Sequence, residues 1–303
     1  MTARRALEVS NPDRVLFPEA AVTKGDVVEH YYRVAPRMLP HLLDRPITLV
    51  RYPRGIASKG FFQKNVAKHY PEDLIGRIEM PRKKGVTVHP SVCTADGLAY
   101  LANQGTIEFH VPLATKHDRW RPDRLVMDLD PPEGSGTGVH EAAWACKELF
   151  DELGIETTPM TTGSRGFHVC ARLLPRESMS ATAHKLAAIL LRRHPDLLTN
   201  EFLKENRKGR VLIDWMRNGG LATVVAPWSL RARPGAPVAM PITWDELNGT
   251  ASDAFTINDE LDRPDHLLGL TPSDPALLIE AVDRIVDEEG IELEYIDRFG
   301  RRR

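Results

Sequence analysis

Six segments between residues 124 and 216 alternate between strand-like and helix-like patterns, and this order restricts the fold more than any other feature of the chain. Short apolar runs at 124–130, 155–161, 166–173 and 210–216 have the length and composition of strands. The segments 139–153 and 180–193 carry apolar residues at helical spacing. The order β-α-β-β-α-β predicts a split βαβ, or ferredoxin-like, unit. In that unit the first and third strands pair at the centre and the fourth lies beside the first.

Two aspartates end the first predicted strand, and a third lies on the fourth. Asp128 and Asp130, in RLVMDLDPP, are two residues apart, so their side chains share one face of a strand. The predicted topology places Asp214 on one neighbouring strand and His168 on the other. We therefore expect three carboxylates and a histidine from distant parts of the chain to meet on one sheet face.

Carboxylates this close together need a cation, because neighbouring like charges raise one another's pKa. Ligands that are all oxygen suit Mg²⁺ or Mn²⁺, and two such ions form a clamp for in-line displacement at phosphorus. We predict two divalent ions held by Asp128, Asp130 and Asp214. A DxD sequence alone is also typical of a capped turn. Asp214 on the matching strand favours the metal site.

A glycine-rich segment, TTGSRGFHV at residues 161–169, leads into the third predicted strand. Backbone N–H groups in such a turn can form a nest for an anion. Thr162, Ser164, Arg165 and His168 would add donors for a triphosphate. By itself the segment is equally typical of an ordinary hairpin loop. Beside the DxD strand it predicts a nucleotide-phosphate site.

The bulk composition is that of a water-soluble globular chain. Hydrophobic residues make up 42% and charged residues 27% of the 303 residues. No apolar run reaches the roughly 18 residues that span a bilayer, and the first residues lack the apolar centre of a signal peptide. We expect a cytoplasmic protein without membrane contact. The net charge is −2, but basic clusters at 81–84, 204–210 and 301–303 permit an anionic partner.

Three motifs, DLD, TTGSRGFHV and IDWMRNG, together resemble the archaeo-eukaryotic primase superfamily. Nearly the whole chain is similar to the polymerase domain of bacterial ligase D, an end-joining repair enzyme. Further stretches of that family, SNPDRVLFP, TKGD, GFFQKN, IEFHVP and APWSLRAR, occur in the family's order from near residue 9 to near residue 235.

The resemblance implies an α+β primase-polymerase fold, with a ferredoxin-like or RRM-like βαββαβ catalytic core packed against an N-terminal mixed α/β module. We expect one domain over residues 1–303. Within it, the N-terminal module covers 1–115, the catalytic core covers 116–240, and a C-terminal helical extension covers 241–303.

The resemblance also implies roles for individual residues. The aspartates already named match the family's metal-binding and catalytic aspartates. The implied nucleotide-binding residues are Phe61, Phe62, His110, Thr162, Ser164, Arg165, His168 and Arg231. The phenylalanines match an aromatic pair that stacks on base and template, although without the family they would be read as core residues. Thr162 stands where the family usually has serine, and Arg165 where it often has lysine.

A second group of residues matches a pocket that, in the family, holds the 5′-phosphate of a gapped or broken DNA end. These residues are Asn11, Arg14 and Lys24. Gln63, Lys64 and Arg217 are weaker candidates for the nucleotide site.

From the motifs and the resemblance we predict a template-dependent nucleotidyltransferase with a two-metal mechanism. It would add nucleotides, preferably ribonucleotides, at DNA gaps or at broken ends bearing a 5′-phosphate, during gap repair or end joining. The expected partners are DNA and nucleoside triphosphates, with Ku and a separate DNA ligase as further candidates. We expect the protein in the bacterial cytoplasm, associated with the nucleoid during repair. We expect these 303 residues to hold the polymerase alone, without the ligase and nuclease modules of a full ligase D, either as a separate gene product or as an excised domain.

Three alternatives remain open from the sequence. One is a primase that starts chains de novo, and another is a module that bridges DNA ends without polymerase activity. The third is a phosphatase that uses an aspartate as its nucleophile. Its downstream lysine and acidic motifs are not evident here.

Overall fold

A computed structural model describes residues 7–82, 84–132 and 138–294 of the chain. The chain forms two compact units. Unit 1 contains residues 1–117, 223–240 and 253–264, and unit 2 contains residues 118–222, 241–252 and 265–303. No helix in the described ranges is long and apolar enough to cross a membrane. The basic cluster predicted at 301–303 lies outside the described residues.

Helices and strands are interspersed along the described residues. The strands are β1 (Val15–Phe17), β2 (Val22–Thr23), β3 (Thr48–Arg51), β4 (Phe61–Gln63), β5 (Gly76–Pro81), β6 (Val86–Ser91), β7 (Thr106–Pro112), β8 (Arg124–Asp130), β9 (Thr157–Thr161), β10 (Phe167–Arg172), β11 (Leu198–Thr199), β12 (Val211–Asp214), β13 (Thr223–Val225) and β14 (Met240–Pro241). The helices are α1 (Lys24–Leu42), α2 (Ala95–Asn103), α3 (Val139–Glu152), α4 (Ser180–Arg193), α5 (Trp244–Leu247), α6 (His266–Gly269) and α7 (Pro275–Glu288).

Unit 1 is built on a four-stranded sheet with the strand order β13-β7-β3-β4. Strand β3 is antiparallel to both β7 and β4. Leu49 and Phe109, which face each other across β3 and β7, are fully buried. Strand β4 is an edge strand, so the side chains it carries have free space beside them.

The sequence predicts a helical stretch at residues 23–43 with Thr23 as its N-cap, and helix α1 begins at that cap. The Asp26 backbone N–H donates to the Thr23 hydroxyl at 3.2 Å, and the Asp26 carboxylate accepts from the Thr23 backbone at 2.8 Å, which makes the capping box. Proline favours a helix break, so the sequence predicts that Pro36 and Pro40 interrupt the later part of this stretch. That prediction is wrong, because both prolines lie inside α1. The prolines are exposed, while Met38 between them is fully buried. Burial of the apolar face therefore outweighs the lost backbone hydrogen bonds.

The stretch at 23–43 is the one helix that the sequence predicts in the first ~115 residues, and helix α2 corrects this expectation. It spans only Ala95–Asn103, which is too short for a clear apolar period. Thr94 caps it by accepting from the Gly97 backbone at 3.1 Å. A Cβ atom at Gly97 would lie 2.7 Å from the Leu74 carbonyl oxygen, so this glycine allows the helix to pack closely on backbone. The same glycine weakened the sequence pattern.

Unit 2 contains a six-stranded sheet of order β11-β12-β8-β10-β9-β14. Its middle four strands follow the predicted ferredoxin-like order, with β8 and β10 paired at the centre and β12 beside β8. Helices α3 and α4 provide the two predicted crossovers and contact each other. The α+β class and the βαββαβ core are therefore confirmed.

The end of the fourth core strand differs from the prediction. We expected a strand through residue 216, but β12 ends at Asp214 and a 3-10 helix follows at Trp215–Asn218. The Asp214 side chain caps that helix by accepting from the Met216 backbone at 3.2 Å. The units also differ from the expected modules at residues 223–240. These residues belong to unit 1 because β13 pairs with β7.

Candidate active site

Asp128 lies at the centre of a three-residue row across the sheet of unit 2. Asp214 faces it from β12, and His168 faces it from β10. Asp130 lies two residues further along β8 on the same face. The structure thus brings together, within one unit, the three aspartates and the histidine that the sequence predicts to meet.

Burial acts on the pKa of all three aspartates, and their charged neighbours make the three values differ. It raises the pKa of Asp214 to about 6, and the charges of Asp128 and Asp130 add to this rise while Arg217 opposes it. Burial and the charge of Asp128 also raise the pKa of Asp130. Burial alone would raise the pKa of Asp128 too, but His168 and Arg217 outweigh it and hold that pKa at about 2. The site therefore carries more negative charge than its neighbours neutralise.

Arg217, predicted only as a weak candidate, contacts two of the aspartates. Its Nε atom lies 2.9 Å from Asp214 Oδ2 and 3.1 Å from Asp128 Oδ2. The 3-10 helix that Asp214 caps brings Arg217 back over the strand end. The next residue, Asn218, holds that helix to β8, since its side chain accepts from the Val126 N–H at 3.0 Å and donates to the Val126 carbonyl at 2.7 Å.

The donor set of this site fits a hard divalent cation. Three carboxylates on one face, two of them with raised pKa values, offer oxygen ligands and surplus negative charge. Among the described residues, no three His, Cys, Asp or Glu side chains already converge as a metal cage. Arg217 pairs with two of these carboxylates instead. The metal site and the Mn²⁺ or Mg²⁺ ions stay predictions.

His168 lies deeper than its predicted role suggested. It is buried, and its Nε2 atom is 3.3 Å from Asp128 Oδ1. Its Nδ1 atom is also buried, and it has no hydrogen-bond partner among the described residues. In this arrangement His168 supports Asp128 directly, and its contact with a triphosphate stays a prediction.

The glycine-rich loop between β9 and β10 closes on itself. The Thr162 hydroxyl and backbone N–H both donate to the Gly166 carbonyl, at 2.8 and 3.2 Å. The Ser164 carbonyl accepts from the Ser252 hydroxyl at 3.0 Å. Arg165 is exposed. The Thr162 hydroxyl therefore shapes the loop, while Arg165 has a side chain free to reach an anion in solution.

Gly166 explains why this loop lies so close to the aspartates. A Cβ atom there would stand 2.0 Å from the Leu129 carbonyl oxygen. Leu129 is the residue between Asp128 and Asp130. Only a residue without a side chain allows the loop backbone to pack against the peptide that carries both carboxylates.

Unit 1 holds a second polar cluster, formed by Glu108, His110 and Arg231. Glu108 Oε2 is 2.7 Å from His110 Nε2 and 3.2 Å from Arg231 Nε, and Oε1 accepts from the Ala232 N–H at 2.9 Å. Burial by itself would raise the pKa of Glu108, but the His110 hydrogen bond and the Arg231 charge hold it at about 2. The two predicted residues thus meet through a carboxylate that we did not predict. Its position two residues before His110, on the same strand face, was the available signal.

Phe61 and Phe62 are surface residues on the edge strand β4, with 46% and 70% of their area exposed. This excludes the reading of the pair as core residues. The Phe62 ring lies edge-on to His110, with ring centroids 6.4 Å apart. Gln63 accepts from the Arg51 guanidinium at 2.7 Å, and Lys64 is exposed.

The predicted 5′-phosphate residues come together at the start of α1. The Lys24 backbone N–H donates to the Arg14 carbonyl at 2.8 Å, and the Arg14 N–H donates to the Asn11 carbonyl at 3.2 Å. Lys24 Nζ donates to the carbonyl and hydroxyl oxygens of Ser10, both at 2.7 Å. Burial, and then the charge of Arg14, lowers the pKa of Lys24. The neighbouring positive charges of Arg14 and Lys24 are suited to binding an anion. Ser10, which the sequence did not predict, joins this group through its contacts with Lys24.

Three comparisons with known proteins agree with the motifs. The chain matches the LigD primase-polymerase domain family over residues 23–269. It is 37% identical over 265 residues to the multifunctional non-homologous end joining protein LigD of Mycolicibacterium smegmatis, covering 86% of this chain and 35% of that protein. It is 31% identical over 263 residues to the bifunctional non-homologous end joining protein LigD of Bacillus subtilis, covering 85% and 42%. The chain thus spans well under half the length of these two relatives.

A solved structure extends the similarity to three dimensions. The polymerase domain from Mycobacterium tuberculosis ligase D, in complex with DNA, matches with a TM-score of 0.75 and 30% sequence identity. The match covers 96% of this chain and 97% of that one. The similarity therefore includes nearly all residues of both units.

Proposed function

This chain belongs to the LigD primase-polymerase family of nucleotidyltransferases, and from that premise we propose that it is a templated DNA-repair polymerase. It would extend a 3′ strand at DNA gaps or at broken ends. The observation that carries the proposal is the cross-strand row of Asp214, Asp128 and His168, with Asp130 on the same face. The relatives named for end joining, and the related domain solved with DNA, support DNA as the partner.

In this proposal Asp128, Asp130 and Asp214 hold Mn²⁺ or Mg²⁺. When bound, such ions lower the pKa of the attacking hydroxyl and neutralise charge on the phosphates. The chain contributes the positions of the carboxylates, because β8 and β12 are hydrogen-bonded in register and Asn218 holds the following turn. Burial keeps the site in a medium of low dielectric, where fixed charges act strongly.

Candidate nucleotide-binding side chains are proposed for each unit separately. In unit 2, Arg165 is exposed within the glycine-rich loop and is suited to a triphosphate. In unit 1, Phe61 and Phe62 offer exposed rings, and stacking of a base on such a ring contributes about 1–3 kcal/mol. We extend the proposal to ribonucleotides, because the His110 ring is a polar group suited to a 2′-OH.

A 5′-phosphate on the downstream DNA strand is the anion we assign to Arg14 and Lys24. Burial, and then the charge of Arg14, lowers the pKa of Lys24, and a phosphate between the two side chains would stabilise both positive charges. We include Ku and a separate DNA ligase as candidate partners, since the relatives are end-joining proteins of which this chain spans only part.

Primer extension tests the proposal directly. The substrate is a gapped duplex with a 5′-phosphate, supplied with Mn²⁺ and either ribonucleotides or deoxynucleotides. We expect templated addition by the wild type, loss of it in Asp128→Ala and Asp130→Ala, and normal addition by Asp196→Ala, which changes an exposed aspartate of unit 2.

Each alternative reading gives a different result in the same experiment. Folded wild type that extends no primer would show that the polymerase assignment is wrong. Synthesis without a primer would indicate a primase. Capture of two DNA ends without synthesis would indicate a bridging module.

A further inference from the structure

Trp120 is the one aromatic side chain in the described part of unit 2 that is mostly exposed, at 55% of its area. Arg119 and Arg121 flank it in the sequence. Tryptophan side chains usually bury their large apolar surface, and exposed ones are enriched at binding surfaces. None of the roles proposed above uses this segment.

Trp120 is held in place by three contacts, one from its backbone and two from its ring. Its backbone N–H donates to Asp118 Oδ1 at 2.8 Å, and the Arg119 guanidinium carbon lies 4.8 Å from the ring centroid. A Cβ atom at Gly220 would stand 2.8 Å from Cζ3 of the indole, so the ring lies directly against the glycine backbone. A planar surface is therefore already arranged, with Gly220 behind it and a guanidinium over it.

This surface lies close to the aspartates of unit 2. Gly220 is three residues after Arg217, whose Nε atom contacts Asp128 and Asp214. Three residues of chain span at most about 11 Å. A nucleic-acid strand advances about 3.4 Å per nucleotide. A strand whose 3′ end reached the aspartates from the side of Gly220 would therefore pass the indole within a few nucleotides.

We propose that the Arg119–Trp120 pair, backed by Gly220, is a stacking platform for an unpaired base of the strand whose 3′ end enters the aspartate site. The proposal rests on the polymerase function argued above and adds a binding surface to it. Indole and guanidinium planes both stack on bases of any sequence. Arg119 and Arg121 supply positive charge for the strand's phosphates in a chain whose net charge is −2.

Arg121 is available for this contact at little cost. Its Nε atom lies 3.5 Å from Asp118 Oδ2, and both side chains are well exposed. Ion pairs of this kind contribute little in water and exchange readily. A phosphate can therefore replace Asp118 as the partner of Arg121.

Binding of a fluorescent single-stranded oligothymidylate, followed by anisotropy at low salt with a chelator present, tests the platform. We expect Trp120→Ala to bind about 5- to 100-fold more weakly than wild type. Trp120→Phe keeps a ring and should retain most of the affinity. Gly220→Ala places a methyl group against the indole and should weaken binding in the same direction. Leu277→Ala, which removes an exposed apolar side chain from α7, is the matched control and should bind normally.

Salt dependence separates the arginines from the tryptophan. Each phosphate contact on a single strand contributes about 0.7 to the slope of log affinity against log salt. The double variant Arg119→Gln, Arg121→Gln should lose up to about 1.4 of that slope. Trp120→Ala should leave the slope unchanged. If Trp120→Ala binds the oligonucleotide as tightly as wild type, the platform is disproved and a protein partner becomes the alternative for this surface.

Primer extension by the same protein preparations, with Mn²⁺ in place of the chelator, separates this inference from the proposed polymerase. If the wild type extends primers and Trp120→Ala binds the oligonucleotide normally, the stacking platform is disproved and the polymerase proposal stands. If the wild type extends no primer but Trp120→Ala binds the oligonucleotide more weakly, the polymerase proposal is disproved and the nucleic-acid-binding surface stands. Thermal unfolding of each variant establishes that it is folded, which we expect because Trp120 is at the surface.

Discussion

Asp214 and Asp128 are direct cross-strand partners in the antiparallel pair of β12 and β8. Side chains in such positions have Cβ atoms about 4.5–5.5 Å apart. Two buried carboxylates at that distance repel each other unless a cation pairs with them, and Arg217 Nε contacts both. We therefore expect the stability of the protein to depend on pH, on Arg217 and on added divalent metal.

The first prediction concerns pH. The pKa of Asp214 is about 6 in the folded protein against an ordinary value of 3.8. The folded state therefore binds more protons than the unfolded state between these values, and the metal-free protein should lose stability as pH rises from about 4 to about 7. Asp214→Asn should flatten this dependence and be more stable at neutral pH by up to about 3 kcal/mol. Urea unfolding across this pH range, with a chelator present, measures the free energy of unfolding of both proteins.

Asp196→Asn is the control for that series, since it changes an exposed aspartate of the same unit. It should follow the wild-type pH profile. Identical profiles for Asp214→Asn and wild type would show that Asp214 titrates normally in the fold.

The second prediction concerns Arg217. Arg217→Gln leaves Asp128 and Asp214 without their shared cation, so the metal-free protein should lose about 1–3 kcal/mol of stability, a range reduced because the arginine is partly exposed. Mn²⁺ should restore more stability to this variant than to wild type, because the ion replaces the lost charge. Arg217→Lys keeps a positive charge, so its stability should lie between that of wild type and that of Arg217→Gln. Thermal unfolding with and without Mn²⁺ measures how much the ion stabilises each protein. Equal stabilisation of wild type and both variants would contradict the prediction.

The third prediction concerns Gly166. Gly166→Ala forces a methyl group against the Leu129 carbonyl and should move the peptide between the two aspartates of β8. We expect a stability loss of about 3 kcal/mol or more. Any folded fraction should extend primers about 100-fold more slowly, because small displacements of catalytic groups are costly. Gly269→Ala, where a methyl group meets no atom within 4 Å, is the matched control in unit 2. Wild-type behaviour of Gly166→Ala would mean that this close approach is not required.

The fourth prediction concerns Glu108, which joins His110 and Arg231 in unit 1. Glu108→Gln removes the charge that orients both side chains, so KM for the nucleotide should rise about tenfold while kcat changes little. Glu79→Gln, an exposed change on β5, is the control. Steady-state primer extension gives both constants. A fall in kcat at constant KM would mean that Glu108 affects the chemical step rather than nucleotide binding.

Several features of the fold followed from local patterns in the sequence. Apolar periodicity identified the βαββαβ segments, and the pairing rules for that order placed Asp128, Asp214 and His168 in one row. Helix α2 and the passage of α1 through Pro36 were missed. Both depend on packing that overrides local propensity: a glycine against backbone in α2, and a buried apolar face in α1.

The sequence by itself determined which segments of the βαββαβ core form strands and helices, the order of the core strands, and the sheet face that carries the aspartates. These depend on side-chain period and chain order, which are local or topological properties. Only the tertiary structure decided how the charges pair: Arg217 with Asp128 and Asp214, and Glu108 with His110 and Arg231. Charge pairing varies with distances of a few ångströms between segments remote in sequence, and those distances exist only after the chain has packed.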